Sequence, residues 1–337
     1  MVLPGPGERE LVATVAYAGG VYRNTLPLVL GMVKPARVGL RYAIYPVEEL
    51  LTSADAYRRH DATEFSLGRL VALSQDAPGE WTALPIFPAR SFRHSAIYVK
   101  ADSAFTSPEQ LSGKRVGIPR WTQTAVVWTR GILQDRYGVD LRQIHWVVTS
   151  RILPSSELRA QDRGYGTRPP GYHVELGRGS RSLSEQLLDG QLDAVITANP
   201  LPTDPTAQVR HLFADPAAEE ERYFTDTGIY PIMHAVVVSR TLLEKQPGLA
   251  STLVQAFEES RLVAERHWGI RTPVPFSGLA WENTYLAREQ RIFAGEAWPH
   301  GLTSARNVEC LETFLRYAGE QGVCPAGTLI SDVFWAP

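Results

Sequence analysis

Long apolar runs are missing from this chain. None approaches the ~20 residues that span a bilayer, so no membrane helix is expected. Cysteine is scarce too: Cys310 and Cys324 are the only two, with no CxxC pair and no Cys/His metal spacing. That excludes a zinc ribbon or finger, and no disulfide is expected from so sparse a pair. The first ten residues, Met1 to Glu10, show neither the basic nor the apolar region of an export signal, so a cytoplasmic protein is expected. Excess positive charge is absent as well. A formal net charge of −2 and no dense basic stretch exclude a nucleic-acid surface. The chain has no GxxxxGK loop, HExxH helix, GxSxG elbow or GxGxxG turn, so nothing points to nucleotide, nicotinamide or flavin chemistry.

What is present is an ordinary soluble composition, 44% hydrophobic and 21% charged, in 337 residues, more than one hydrophobic core usually serves. Most of the positive charge is arginine, the side chain suited to bidentate carboxylate binding. Short apolar runs at 11–17, 38–45, 81–87 and 95–99 read as strands, and 48–59 and 63–74 as helices. The pattern restarts near residue 100. Arg115–Ile118, Ile144–Val148 and Ala194–Thr197 read as strands, and Thr122–Tyr137, closed by Gly138, and Ser182–Leu188 as helices. The stretch 150–179 reads as loop. Tyr230–Ser239 reads as a strand returning to the first lobe, followed by long helices over 248–267 and 306–320.

Strands alternating with helices predict mostly parallel sheets. The restart and late return predict two α/β lobes joined by two crossing strands: 1–98 plus 232–337, and 99–231. Ligands in such folds lie at the carboxyl ends of the strands, in the crevice between lobes. The apolar C-terminal helix offers a face for a homo-oligomer.

Two sets of residues carry a family resemblance. Leu111-Ser-Gly-Lys-Arg-Val-Gly-Ile118 resembles the L-x-G-K-x-V-G-V signature of type II periplasmic binding proteins. Pro85–Val99, Thr124–Leu133, Thr227–His234 and Trp298–Leu302 together resemble the 4,5-dihydroxyphthalate decarboxylase family, over about residues 31–322. That resemblance implies an enzyme on a binding-protein fold, removing CO₂ from a dihydroxylated aromatic diacid to leave a dihydroxybenzoate. The loops Tyr22-Arg-Asn-Thr25, behind Gly19-Gly20, and Pro119-Arg-Trp-Thr-Gln-Thr124 lack two acidic groups of the family pattern. The class of substrate is therefore implied rather than its identity.

Arg90, Arg93 and His94 form the densest cationic cluster in an expected loop and suit a carboxylate clamp; the competing reading is a solvated loop paired with Glu64 or Asp61. Thr122 and Thr124, at a helix start after a strand, suit carboxylate binding by free N–H groups, or are an ordinary cap. Glu64 and Ser66 fall in the family-like segment Asp61–Ser66, and Tyr22 in the first strand's loop. His234 sits at the return crossover, and Trp121 and Phe92 offer rings for stacking. Trp128 reads as core, and the remaining histidines as structural.

Decarboxylation without a cofactor needs a para phenol to supply electron density and an acid to protonate the ring carbon. The expected base is Glu64 and the acid His94 or His234. Arg90 or Arg93 should hold the retained carboxylate, since a cation on the departing one stabilises the ground state. No cofactor is expected. A divalent metal stays open, with His94, His234 and a carboxylate as its ligands. The alternative function on this fold is a non-catalytic receptor for a small carboxylate, and a third is a ligand sensor.

Overall fold

The computed structural model describes residues 13–52, 59–74, 80–149, 169–177, 181–203, 206–268, 280–294 and 298–335. Two sheets organise them. The first has the order β2-β1-β3-β11-β4, from β1 (Ala13–Gly19), β2 (Val38–Ile44), β3 (Ala62–Ser66), β4 (Trp81–Leu84) and β11 (His234–Ser239). The second has the order β10-β5-β9-β6-β7-β8, from β5 (Ile97–Lys100), β6 (Arg115–Ile118), β7 (His145–Val148), β8 (His173–Leu176), β9 (Ala194–Ile196) and β10 (Val209–His211). The chain thus forms a two-lobed α/β fold. β1, β2 and β3 run parallel, while β11 returns antiparallel between β3 and β4.

The chain passes between the sheets twice, and the two passages lie side by side. Arg90 and Ile232 form an antiparallel bridge, Ser91 N donates to Pro231 O at 3.0 Å, and Met233 N donates to Ala89 O at 2.9 Å. The helices that bear on the site are α1 (Leu67–Leu73), α2 (Thr124–Tyr137), α3 (Pro216–Thr227), α4 (Leu249–Trp268), α5 (Glu282–Phe293) and α6 (Ala305–Glu320). Trp128 on α2 is fully buried, and its Nε1 donates to Ile232 O at 2.9 Å, fastening the crossing segment to the second lobe. One apolar core runs through both lobes, from Phe65 and Leu67 to Val116, Ile118 and Trp128, and on to Phe314 of α6.

Several expectations need correction. Residues 63–66 are strand, not the start of a helix; all five residues of β3 are buried, and a strand covered on both faces loses the alternation that marks it. β8 lies inside the stretch read as loop, and most of the rest of that stretch lies outside the described residues, as do 53–58 of the expected helix over 48–59. The apolar face of α6 is filled from within the chain. Its Cys310, Leu311, Phe314 and Leu315 are core residues, so that helix is not a free face for a second copy. Cys310 and Cys324 are both free thiols. No described helix is long and apolar enough to cross a membrane.

Candidate active site

Three strand ends of the first sheet meet at one carboxylate. Register pairs Ser66 with His234 and Glu64 with Val236, while Tyr17 of β1 stands beside Ala62. Glu64 projects from this central strand with no solvent exposure. An ion so deep is tolerable only when its lone pairs are satisfied, and here they are. Gly20 N donates to Oε2 at 2.8 Å, the Tyr22 hydroxyl donates to Oε1 at 2.5 Å, and His234 Nδ1 lies 2.6 Å from the same Oε1.

Burial alone would push the Glu64 carboxyl up. The hydrogen bond and charge of His234, with the donors from Tyr22 and Gly20, outweigh it and hold the group below its ordinary value. Glu64 is therefore a carboxylate at neutral pH, and the facing His234 nitrogen carries the proton. That leaves Nε2 of His234 as the ring nitrogen not held by Glu64, on a side chain that keeps 16% exposure. Burial, and then the Glu64 charge, push the Tyr22 phenol well up, so it stays a neutral donor.

The unusual Gly19-Gly20 pair now has a physical reason. The Gly20 peptide is gripped at both ends, its N–H on Glu64 and its carbonyl accepting from the Tyr42 hydroxyl at 2.6 Å. A Cβ at Gly20 would lie 2.5 Å from Val47 Cγ2, so no larger residue brings the backbone this close. Tyr42 in turn packs edge-on against the buried Tyr17 ring, with centroids 4.8 Å apart. Sequence reasoning did not single out Tyr42 or the Gly20 amide; their signal is position, at the carboxyl end of the first two strands.

The cationic segment does not act as one cluster. Arg90 donates from Nη1 to Tyr230 O at 2.9 Å and from Nη2 to Asn307 Oδ1 at 2.5 Å, with its guanidinium over the Phe87 and Trp298 rings. Arg93 donates from Nε to Met233 Sδ at 3.0 Å, and burial pushes its guanidinium down to about 10. His94 is buried in an aromatic nest of Tyr137, Phe213 and Tyr223, with neither ring nitrogen hydrogen-bonded. Burial first, then the charges of Arg136 and Arg222, push its imidazole down to about 4. His94 therefore does not join Glu64 and His234. Phe92 belongs to another aromatic group, with Phe224, Tyr230 and Phe293.

Ser66, Thr122 and Thr124 meet at the seam between the lobes. Ser66 Oγ lies 2.8 Å from Thr124 Oγ1, which also accepts from Gly68 N at 2.9 Å. The start of α2 is thus engaged by the start of α1, where a carboxylate had been expected. Trp121 is fully buried against Trp146 and Tyr172, stacked on the Arg130 guanidinium at 3.7 Å, with its Nε1 donating to Gln321 O at 2.8 Å. It is packing for the seam, not an open stacking face. A Cβ at Gly68 would sit 2.3 Å from Thr122 O and 3.1 Å from Thr124 N, so Gly68→Ala must part the seam. The expected cost is roughly 2 kcal/mol, seen as a lowered midpoint in calorimetry; an unchanged midpoint would show that the lobes separate freely here.

Among the described residues, no three His, Cys, Asp or Glu side chains converge as a metal site, and His94, His234 and a carboxylate are not brought together.

No family model matches the chain. Whole-chain comparison is more informative. The chain is 30% identical over 315 residues, covering 92% of both chains, to 4,5-dihydroxyphthalate decarboxylase of Comamonas testosteroni. It is 30% identical over 204 residues, 60% of this chain and 78% of the relative, to 4,5-dihydroxyphthalate decarboxylase of Pseudomonas putida. Among solved structures it resembles the alkanesulfonate-binding protein SsuA from Xanthomonas axonopodis pv. citri, with a TM-score of 0.51, 14% identity, and 97% and 99% of the two chains covered. The periplasmic aliphatic sulphonate binding protein SsuA from Escherichia coli gives a TM-score of 0.51 at 14% identity, covering 98% and 93%. These two share the fold, the two-lobed periplasmic-binding-protein architecture, and the two sequence relatives give the family: the chain belongs to the 4,5-dihydroxyphthalate decarboxylases.

Proposed function

We propose that this protein is a carboxy-lyase that removes CO₂ from a hydroxylated aromatic carboxylic acid, a dihydroxyphthalate or close analogue, with His234 as the general acid. The observation that carries the reading is the Glu64–His234 pair. A buried carboxylate fixes one imidazole nitrogen at 2.6 Å, and the side chain keeps an open edge for a substrate. Family membership supplies the reaction class. In the step proposed, a para phenol pushes electron density onto the ring carbon bearing the carboxylate. His234 gives that carbon a proton, the carbon–carboxylate bond breaks, its electron pair returns to the ring, and neutral CO₂ leaves. Water then restores the proton to His234, so one proton is consumed for each CO₂ released.

Glu64 has a different part from the base first expected. Its carboxylate is enclosed and already accepts from three groups, so it positions His234 and stabilises the doubly protonated ring, which gives its Nε2 proton to the carbon and returns to neutral. Two lobes, over 1–98 plus 232–337 and over 99–231, belong to the same proposal, as does a cytoplasmic location, which suits the two free thiols.

The purified protein should release CO₂ from 4,5-dihydroxyphthalate, or from another member of a small panel of hydroxylated aromatic acids. Release unchanged by EDTA supports chemistry by these side chains alone, and release abolished by EDTA brings a divalent metal into the step. Binding without turnover would overturn the lyase reading in favour of a solute receptor, the role named for the two structures that share the fold.

A further inference from the structure

A cavity of about 510 Å³ opens beside the Glu64–His234 pair and shares one wall with it, the Tyr22 ring. That volume lies in the range of small-molecule sites. The wall is aromatic. Besides Tyr22 and Phe87 it holds Tyr230, Phe293 and Trp298, three rings whose centroids lie 5.2 to 5.3 Å apart.

Its polar groups are of two kinds, some already paired and some not. Three arginines line it, and two have carboxylate partners: Arg23 lies 3.7 Å from Glu282, and Arg261 is held by Glu258 at 2.7 Å. Arg90 has none among the described residues; its guanidinium is engaged by two neutral oxygens and by the Cys310 side chain, leaving about two of roughly five donors uncommitted. Trp298 Nε1 is a buried donor without an acceptor. Asn24 Oδ1 is a buried acceptor without a donor, and its orientation is fixed because Nδ2 donates to Pro88 O at 3.1 Å. Buried polar atoms left unpaired are costly, and two on residues that line one cavity call for a ligand that completes them. Two carboxyls, Glu265 and Glu289, also line the wall; burial pushes that of Glu289 up, toward the neutral form that an anionic ligand tolerates, with the Arg23 charge opposing.

We infer that this cavity is the substrate's anchoring pocket: Arg90 and Trp298 Nε1 take a retained carboxylate, Asn24 Oδ1 accepts from a phenolic hydroxyl, and the aromatic wall stacks on the ring. The inference rests on the proposed function for the identity of the ring; it chooses Arg90 over Arg93 for the retained carboxylate and adds Asn24 and Trp298 to that site. It also separates the two carboxylates of a diacid. The one gripped by Arg90 is kept, because a cation on the departing group would slow its loss. The departing one reaches past Tyr22 toward His234.

Calorimetric titration with 3,4-dihydroxybenzoate, benzoate and catechol tests this directly. Wild type should bind 3,4-dihydroxybenzoate more tightly than catechol by roughly tenfold or more, a preference that Arg90→Met abolishes. Arg90 also ties Tyr230 and Asn307, so two milder variants guard against a folding failure. Asn24→Ala should weaken 3,4-dihydroxybenzoate but not benzoate, and Trp298→Phe should weaken both but not catechol. His234→Gln should bind all three as wild type does. If wild type releases CO₂ while Asn24→Ala and Trp298→Phe bind unchanged, the pocket is wrong and the lyase reading stands. If the binding preferences appear without CO₂ release, the pocket stands and the lyase reading fails. No binding by the folded wild type overturns the pocket.

Discussion

Replacing His234 by glutamine should lower kcat roughly 100- to 10,000-fold while KM changes little. Glutamine keeps much of the imidazole's reach but cannot donate a proton to carbon. Binding should survive, because none of the cavity-lining residues is displaced and Glu64 keeps its bonds to Gly20 and Tyr22. Glu64→Gln tests the positioning role separately. The amide fills the same space but removes the charge that opposes a positive imidazole, so kcat should fall with KM held, by less than in His234→Gln. Glu64→Asp retains the charge on a shorter stem and should recover part of the loss. Measuring kcat and KM for the three variants decides the matter. A rise in KM at constant kcat would make His234 a substrate-binding group instead, and kcat equal to that of wild type in all three would remove the pair from the chemistry.

Local pattern in the sequence reached much of this arrangement. The strand that returns at His234 and the restart near residue 100 were readable because apolar runs and turn residues mark them, whatever they later touch. Glu64, His234 and Tyr22 stand 42 and 170 residues from one another along the chain and meet only through the pairing of β3 with β1 and β11. The family resemblance made Glu64 and His234 candidates, but that they meet each other and Tyr22 is seen only in the folded sheet. Where reasoning relied on adjacency in sequence, it failed. Arg90, Arg93 and His94 looked like one cluster, yet Arg90 lies in a β-bridge with the return passage while Arg93 caps and His94 opens a short 3-10 turn, and these three end against Asn307, Met233 and Tyr223. The helix start at Thr124 looked free for a carboxylate because nothing local shows that Ser66 and Gly68 arrive there from the other lobe. Asn24 and Trp298 carried no motif at all. Their signal is an unpaired polar atom at a cavity, which exists only after folding.

Acid should destabilise the protein steeply below pH 6.5, and His94 should account for a large share. Its imidazole is pushed from 6.5 down to about 4, and that of His300 to about 3, both first by burial; nearby arginine charges add to each. As pH falls from 6.5, the unfolded chain takes up protons that these folded imidazoles refuse. Stability is thus greatest above pH 6.5 and declines with acidification. The His94 contribution saturates near pH 4, at a cost on the order of 3 kcal/mol. Glu64 acts later. Its carboxyl lies below the ordinary value, so its stabilisation persists above that value and is lost only as pH drops through the folded value. His94→Phe isolates the first effect, since phenylalanine suits the nest of Tyr137, Phe213 and Tyr223 and removes two ring nitrogens that lack partners. Thermal midpoints followed from pH 7 to pH 4 should show a shallower decline for the variant, equivalent to about 2 kcal/mol at pH 5. Turnover at pH 7 should be retained. An acid slope equal to that of wild type would mean that the nest admits water and His94 titrates freely. Loss of kcat in a folded His94→Phe protein would return His94 to the reaction, in place of His234 as the acid.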